Sequence, residues 1–213
     1  MRVITFEGAG PMKRLAILSA LAFAACSPSS NEPAPAASTE PQPAAEAPAT
    51  LASATFDVLT ADGIGPLRIG LTQDEVIAAA GDTRTPDAAD IPGECREFQP
   101  QRAPDGLWVM IESGKLTRIT LGELSSVKTD KGLGLGDTPD AVKTTYGAEA
   151  KSSPHKYQDA PAAYITWWKG GPRSEPYVQD DTARGIVYEI DGTGKVGAIH
   201  AGGPSIQYVE GCA

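Results

Sequence analysis

LRIGLTQDEVIAAAG, residues Leu67 to Gly81, returns 66 positions later as LGLGDTPDAVKTTYG, Leu133 to Gly147. Gly70 stands over Gly136, Thr72 over Thr138, Asp74 over Asp140, Val76 over Val142 and Gly81 over Gly147. Each copy spells the same short helix. Thr72 is an N-cap with Glu75 three positions on, a pair whose side chains and backbone N–H groups satisfy each other. Thr138 caps the second copy, followed by Pro139 at the first helical position, where a missing N–H is no loss. Gly81 and Gly147 are expected to end both helices in the left-handed conformation. A second match, GKLTRI from Gly114 and GKVGAI from Gly194, lies at an offset of 80. Each follows an apolar run, Leu107–Glu112 or Gly185–Ile190, across Ser113-Gly114 or Asp191–Gly194, which predicts two hairpins. The offset grows because the second copy carries an insertion, placed at Lys169–Thr182. The expected fold is α+β: two tandem repeats of a helix plus an antiparallel meander, residues 56–128 and 129–213.

Upstream of the repeats the chain changes character twice. Lys13 and Arg14 precede the apolar run LAILSALAFAA, Leu15 to Ala25, too short for a stable membrane span and ending in small residues. This predicts a secretory signal over residues 1–25, with Met12 as a better start than Met1. Residues 27–53 then hold six prolines among Ala, Ser, Thr and Glu, with Leu51 as the one sizeable apolar residue. Such a stretch buries too little surface to offset its ordering entropy, so residues 26–55 are expected to form an extended, mobile tether.

Cysteine directly after Ala24-Ala25 resembles the bacterial lipoprotein signal, with Phe23 where that family has Leu. The resemblance implies a diacylglycerol on Cys26, which becomes the mature N-terminus. Ser27 in the next position, by likeness to enterobacterial lipoproteins, implies sorting to the outer membrane, with the domain facing the periplasm. Several acyl chains on one terminus anchor stably where a single chain is marginal.

Formal net charge is −9, and loss of the signal would leave 15 basic against 26 acidic side chains. That balance argues against nucleic acid and anionic lipid surfaces, both of which need basic patches. Cys95 and Cys212, 117 residues apart, form an even pair in an oxidising compartment and are expected to be disulfide-linked. His155 and His200 are the sole imidazoles, and no pair has zinc spacing, so neither a metal site nor a cofactor is expected. No G-x-S-x-G, Ser-x-x-Lys or Cys–His nucleophile pair occurs, so no catalytic residue is assigned and the protein is read as non-enzymatic. His200, next to apolar Ile199, should face away from that core side.

Gly65 to Val76, and more weakly Lys131 to Val142, resemble the repeats of the fold shared by the β-lactamase inhibitor protein and the small lipoprotein of the outer-membrane barrel-assembly machine. That likeness implies fold and little function. Pro154-His155-Lys156-Tyr157 and Gln207-Tyr208-Val209-Glu210-Gly211-Cys212 resemble a group of proteobacterial lipoproteins, some of which bear the name lectin.

Eight of thirteen aromatic residues fall from Tyr146 onward. In Tyr164-Ile165-Thr166-Trp167-Trp168, alternation sends Tyr164, Thr166 and Trp168 to one face and Ile165 and Trp167 to the other. If the first face is open, it offers flat amphipathic contacts; the alternative is that helices cover one face and the insertion loop the other. Gly170-Gly171-Pro172 and Asp180-Asp181 mark that loop as exposed and mobile. Candidate binding residues are His155, Tyr157, Tyr164, Trp168 and Tyr177. The expected function is binding of an envelope protein partner. The alternative is a lectin-like module for glycan or peptidoglycan fragments. A third, from the fold likeness alone, is inhibition of an envelope-targeting enzyme.

Overall fold

Both capped segments are helical in the computed structural model, which describes residues 55–84, 95–175 and 177–212. The signal, Cys26 and all but the end of the tether lie outside the described residues. Helix α1 is Gln73–Ala80 and α2 is Pro139–Tyr146. Thr72 and Glu75 make both bonds of the capping box, and the Thr138 hydroxyl accepts from the Ala141 N–H. The helix stops differ from expectation. Gly81 and Gly147 have positive φ, 84° and 58°, but ψ of 161° and −135° takes both out of the left-handed helical basin. The chain leaves α1 extended at Gly81, whereas α2 passes through Gly147 into a short 3₁₀ turn, Gly147–Glu149; both backbone conformations favour glycine.

Four short strands form one sheet in the order β3-β2-β1-β7: β1 Val58–Thr60, β2 Gly63–Ile64, β3 Leu67–Arg68 and β7 Lys128–Thr129. The second sheet has seven strands: β4 Cys95–Phe98, β5 Leu107–Glu112, β6 Lys115–Leu121, β8 Lys151–Pro154, β9 Ala163–Trp168, β10 Gly185–Ile190 and β11 Val196–Gly202. Its order is β4-β5-β6-β11-β10-β9-β8, with antiparallel neighbours throughout. A helix precedes a meander twice, and the meanders meet where β6 pairs with β11. The β5–β6 hairpin turns at Ser113 and Gly114, both at positive φ, the geometry that matches strand twist.

The approach to each helix is fastened to the sheet in the same way. Gly70 donates to the Leu116 carbonyl at 2.8 Å and Leu116 donates back to Leu71 at 2.7 Å. Gly136 donates to Val196 and Val196 to Asp137, each at 2.9 Å. Val76 and Ala80 of α1, and Val142 and Tyr146 of α2, are buried against one face of the large sheet. Ile119, Tyr188 and Ile199 supply the sheet side of that core. Tyr146 stacks on Trp167 at 5.1 Å and shares a 2.9 Å hydroxyl contact with Tyr188, so these three late aromatics belong to the interior. The disulfide Cys95–Cys212 ties the C-terminal segment to edge strand β4.

Candidate functional site

The opposite face of the large sheet holds the site. Pairing registers set its side chains in two rows. Lys151, Thr166, Val187, His200 and Thr120 run across five strands. Ser153, Tyr164 and Glu189 run beside them. The connection from β9 to β10 is 16 residues long, against 8 from β4 to β5, and its Tyr177 and Val178 line a groove on this face.

Trp168 is only 6% exposed and packs with Val178, Ala183, Val187 and Ile206, so the open aromatic face is not found. Alternation along β9 is as read, and the covering alternative holds at Trp168. Gly185, paired with Trp168, makes this possible: a Cβ there would stand 2.6 Å from the indole. The insertion loop is likewise not the free flap its composition suggested. Its apolar Val178 is buried, as is Ala183 just after it, and the Gln207 amide grips the Val178 backbone with two bonds of 2.9 Å. Gln207 belongs to a 3₁₀ turn, Pro204–Gln207, that starts the C-terminal segment. Buried Arg118 holds that segment from below, donating to the carbonyls of Ser205 at 3.2 Å and Tyr208 at 2.9 Å while pairing with Glu97. Gly211, at φ 65°, passes so close to Glu97 that any Cβ would collide with its carboxylate.

Between the loop, the C-terminal segment and edge strand β8 lies a groove of about 440 Å³. Its floor includes Tyr164, Thr166, Val187, Glu189 and His200; Trp168, Tyr177 and Tyr208 line its aromatic side; Lys151, Lys156 and Arg173 bring positive charge to it. Burial, with help from Glu112, pushes the Tyr208 hydroxyl up to about 12, so it stays protonated.

Glu189 is the hub of the polar floor. Its Oε1 lies 3.2 Å from His155 Nε2 and its Oε2 lies 3.3 Å from His200 Nε2. The His155 Nδ1 accepts from the backbone N–H groups of Tyr157 and Gln158 at 3.1 and 3.2 Å. Nε2 is therefore the protonated nitrogen of that ring, because a neutral imidazole has one donor and one acceptor. His200 Nδ1 lies 3.0 Å from the Thr120 hydroxyl. Burial holds the His200 imidazole below its ordinary value, so it is neutral at pH 7; it takes the Thr120 proton and donates from Nε2. The hydrogen bond from His200, then that from His155, keeps the Glu189 carboxyl ionised against its burial. The result is one carboxylate whose two oxygens each receive an imidazole N–H. It is a fixed acceptor. Among the described residues, no cluster of three His, Cys, Asp or Glu side chains has metal-binding geometry.

The five candidates divide. Tyr164, Trp168 and Tyr177 line the groove. The His155 side chain is 4% exposed and supports the floor from behind, stacked on Tyr164 at 4.7 Å. Tyr157 is 59% exposed and does not line it. Sequence reasoning missed Glu189 and Lys151; His200 faces away from the Ile199 core side, as expected, and forms part of the groove floor. Glu189 had a signal: it is the one charged residue in the apolar strand GIVYEI, one strand from a His in the equally apolar VGAIHAG. Lys151 had none, since KSSP does not read as a strand.

No protein-family model, curated protein or solved structure matches this chain.

Proposed function

We propose that this chain is a lipid-anchored, periplasm-facing envelope protein whose folded domain is a non-enzymatic binding module, with the groove over the second meander as the site of a small organic ligand. One observation carries the reading. Two segments with no role in the sheet, the β9–β10 loop and residues 204–212, are both fastened so as to wall a groove whose floor holds a preset carboxylate. The volume falls in the range of small-molecule sites, which are typically about 300–1,000 Å³ with a few convergent polar groups. The lipid anchor rests on the sequence around Cys26.

We also read the two helix-plus-meander halves as copies of one repeat. What supports it is the matched fastening of Gly70 to Leu116 and Gly136 to Val196, at the same two offsets as the sequence matches.

A protein partner is the second reading, favoured by Tyr157 and by Tyr177, 45% exposed at the groove. Extraction of the native lipoprotein from membranes in mild detergent, followed by mass spectrometry, separates the two. A bound compound of a few hundred daltons is the expected result. A stoichiometric protein and no small molecule contradicts the ligand reading. Recovery of a Cys26→Ser variant in the membrane pellet contradicts the anchor.

A further inference from the structure

The groove is chemically lopsided, which narrows what it accepts. At the β8 edge stand four hydrogen-bond donors on one face: Lys151, Ser153, Tyr164 and Thr166. The Lys151 ammonium has no ion-pair partner among the described residues, and the hydroxyls of Ser153 and Thr166 make no hydrogen bond there. The Tyr164 hydroxyl is buried without a partner. A buried polar group left unsatisfied costs about 1–3 kcal/mol, and an acceptor brought to this hydroxyl would recover it.

The other two cations at the groove each have another group nearby. Lys156 lies over the Tyr157 ring at 5.3 Å, and Arg173 acts on Glu175 and Asp180. Towards β10 the polarity reverses. Glu189 is a carboxylate with its orientation fixed by two imidazoles, and it accepts from whatever lies above it. Lys151 and Glu189 are two strands and two residues apart, on the order of 12 Å between Cα atoms. Between them the groove's other side is aromatic: Trp168, Tyr177 and Tyr208.

Resting on the reading of the groove as a ligand site, we propose that its ligand is a hydroxylated carboxylic acid of the sugar-acid class, one or two rings long. The carboxylate sits at Lys151 and Tyr164, ring hydroxyls donate to Glu189, and an apolar ring face lies along the tyrosines. One unpaired lysine suits a single negative charge. A phosphate would bring nearly two negative charges close to the carboxylates of Glu175 and Glu189, which line the same groove.

Galacturonate and its methyl ester share one hydroxylated ring and differ at a single carboxyl group, charged in the acid and neutral in the ester. Both are titrated into the purified domain and followed by NMR at the groove residues, beside neutral disaccharides and short peptides. The acid is expected to bind at least about tenfold more tightly than the ester, as one charge-assisted hydrogen bond implies. Lys151→Gln should abolish that preference, and Lys143→Gln on α2 should keep it. Tyr164→Phe, which removes an unsatisfied hydroxyl, should weaken acid binding about tenfold without lowering the melting temperature. Equal binding of acid and ester, or groove binding by the neutral sugars or peptides but not the acid, overturns the acid class and leaves the groove reading standing. No groove response to any probe overturns both.

Discussion

The two halves of the large sheet pair their strands alike and dress one face differently. Val109 faces Ile119 in the first half as Tyr188 faces Ile199 in the second, all four on the helix side. One position along each strand, on the other side, Met110 stands where the second half has Glu189, and Thr120 where it has His200. Trp108 takes the place of Val187 and is 38% exposed, while the second half encloses its own Trp168. The helix side answers to packing and is alike in both halves. The groove side differs because the β9–β10 connection covers the second half, while the C-terminal segment crosses from there over β6 to edge strand β4 of the first. A fold requires the first set of residues and not the second, which is why the groove side is the face on which binding is proposed.

Substituting the two tryptophans tests this contrast most severely. Trp168→Ala removes the centre of the small apolar cluster and is expected to destabilise the domain by about 3–5 kcal/mol, while Trp108→Ala should cost under about 1 kcal/mol. Chemical denaturation measures both, and equal losses would erase the difference between the halves. Next in size is the disulfide. The Cys95→Ser/Cys212→Ser pair should lose about 2–5 kcal/mol, with increased proteolysis after residue 207 as the C-terminal segment loosens. Unchanged protease resistance would mean that Arg118 alone secures the groove wall.

Acid should weaken the second half first. His200 has its folded value below 6.5, so the unfolded chain takes up a proton that the folded one refuses, and stability falls as pH drops below about 6.5. Glu189, held below 4.5 by its two histidines, adds a further loss as pH falls from about 4.5 towards its folded value. Melting temperatures from pH 7.5 to 4 should show both windows, and His200→Gln should flatten the upper one. A wild-type profile flat down to pH 5 contradicts a buried, neutral His200. The smallest expected effect is that of Thr120→Val, which removes the hydroxyl beside His200 Nδ1. It should cost about 1 kcal/mol and leave ligand affinity nearly unchanged.

Local chemistry was readable in the sequence, and long-range covering was not. The caps at Thr72 and Thr138, both hairpins and the alternation of β9 depend on neighbours a few residues away. The pairing of β6 with β11 joins segments about 80 residues apart, and Arg118 reaches carbonyls 87 and 90 residues away. Nothing in the spacing of TRI or SIQY encodes that contact. Trp168 illustrates the limit. Its face was legible from period two, whereas its cover depends on Val178, Ile206 and the missing Cβ of Gly185. Of the candidate site, the three aromatics were accessible to pattern reading. Lys151 was not, because a strand of Lys, Ser, Ser and Pro owes its place to β9 rather than to its own propensity.

The indole N–H resonances of Trp108 and Trp168 give the most direct test of a site confined to the second half. A ¹⁵N-labelled domain is titrated with the low-molecular-weight fraction of an envelope extract, and both indoles are followed in the same spectrum. The Trp168 signal is expected to shift with saturation, together with the backbone amides of Tyr164 and Glu189, while Trp108 stays fixed. A shift at Trp108 with Trp168 unmoved would place recognition on the first half and contradict the account.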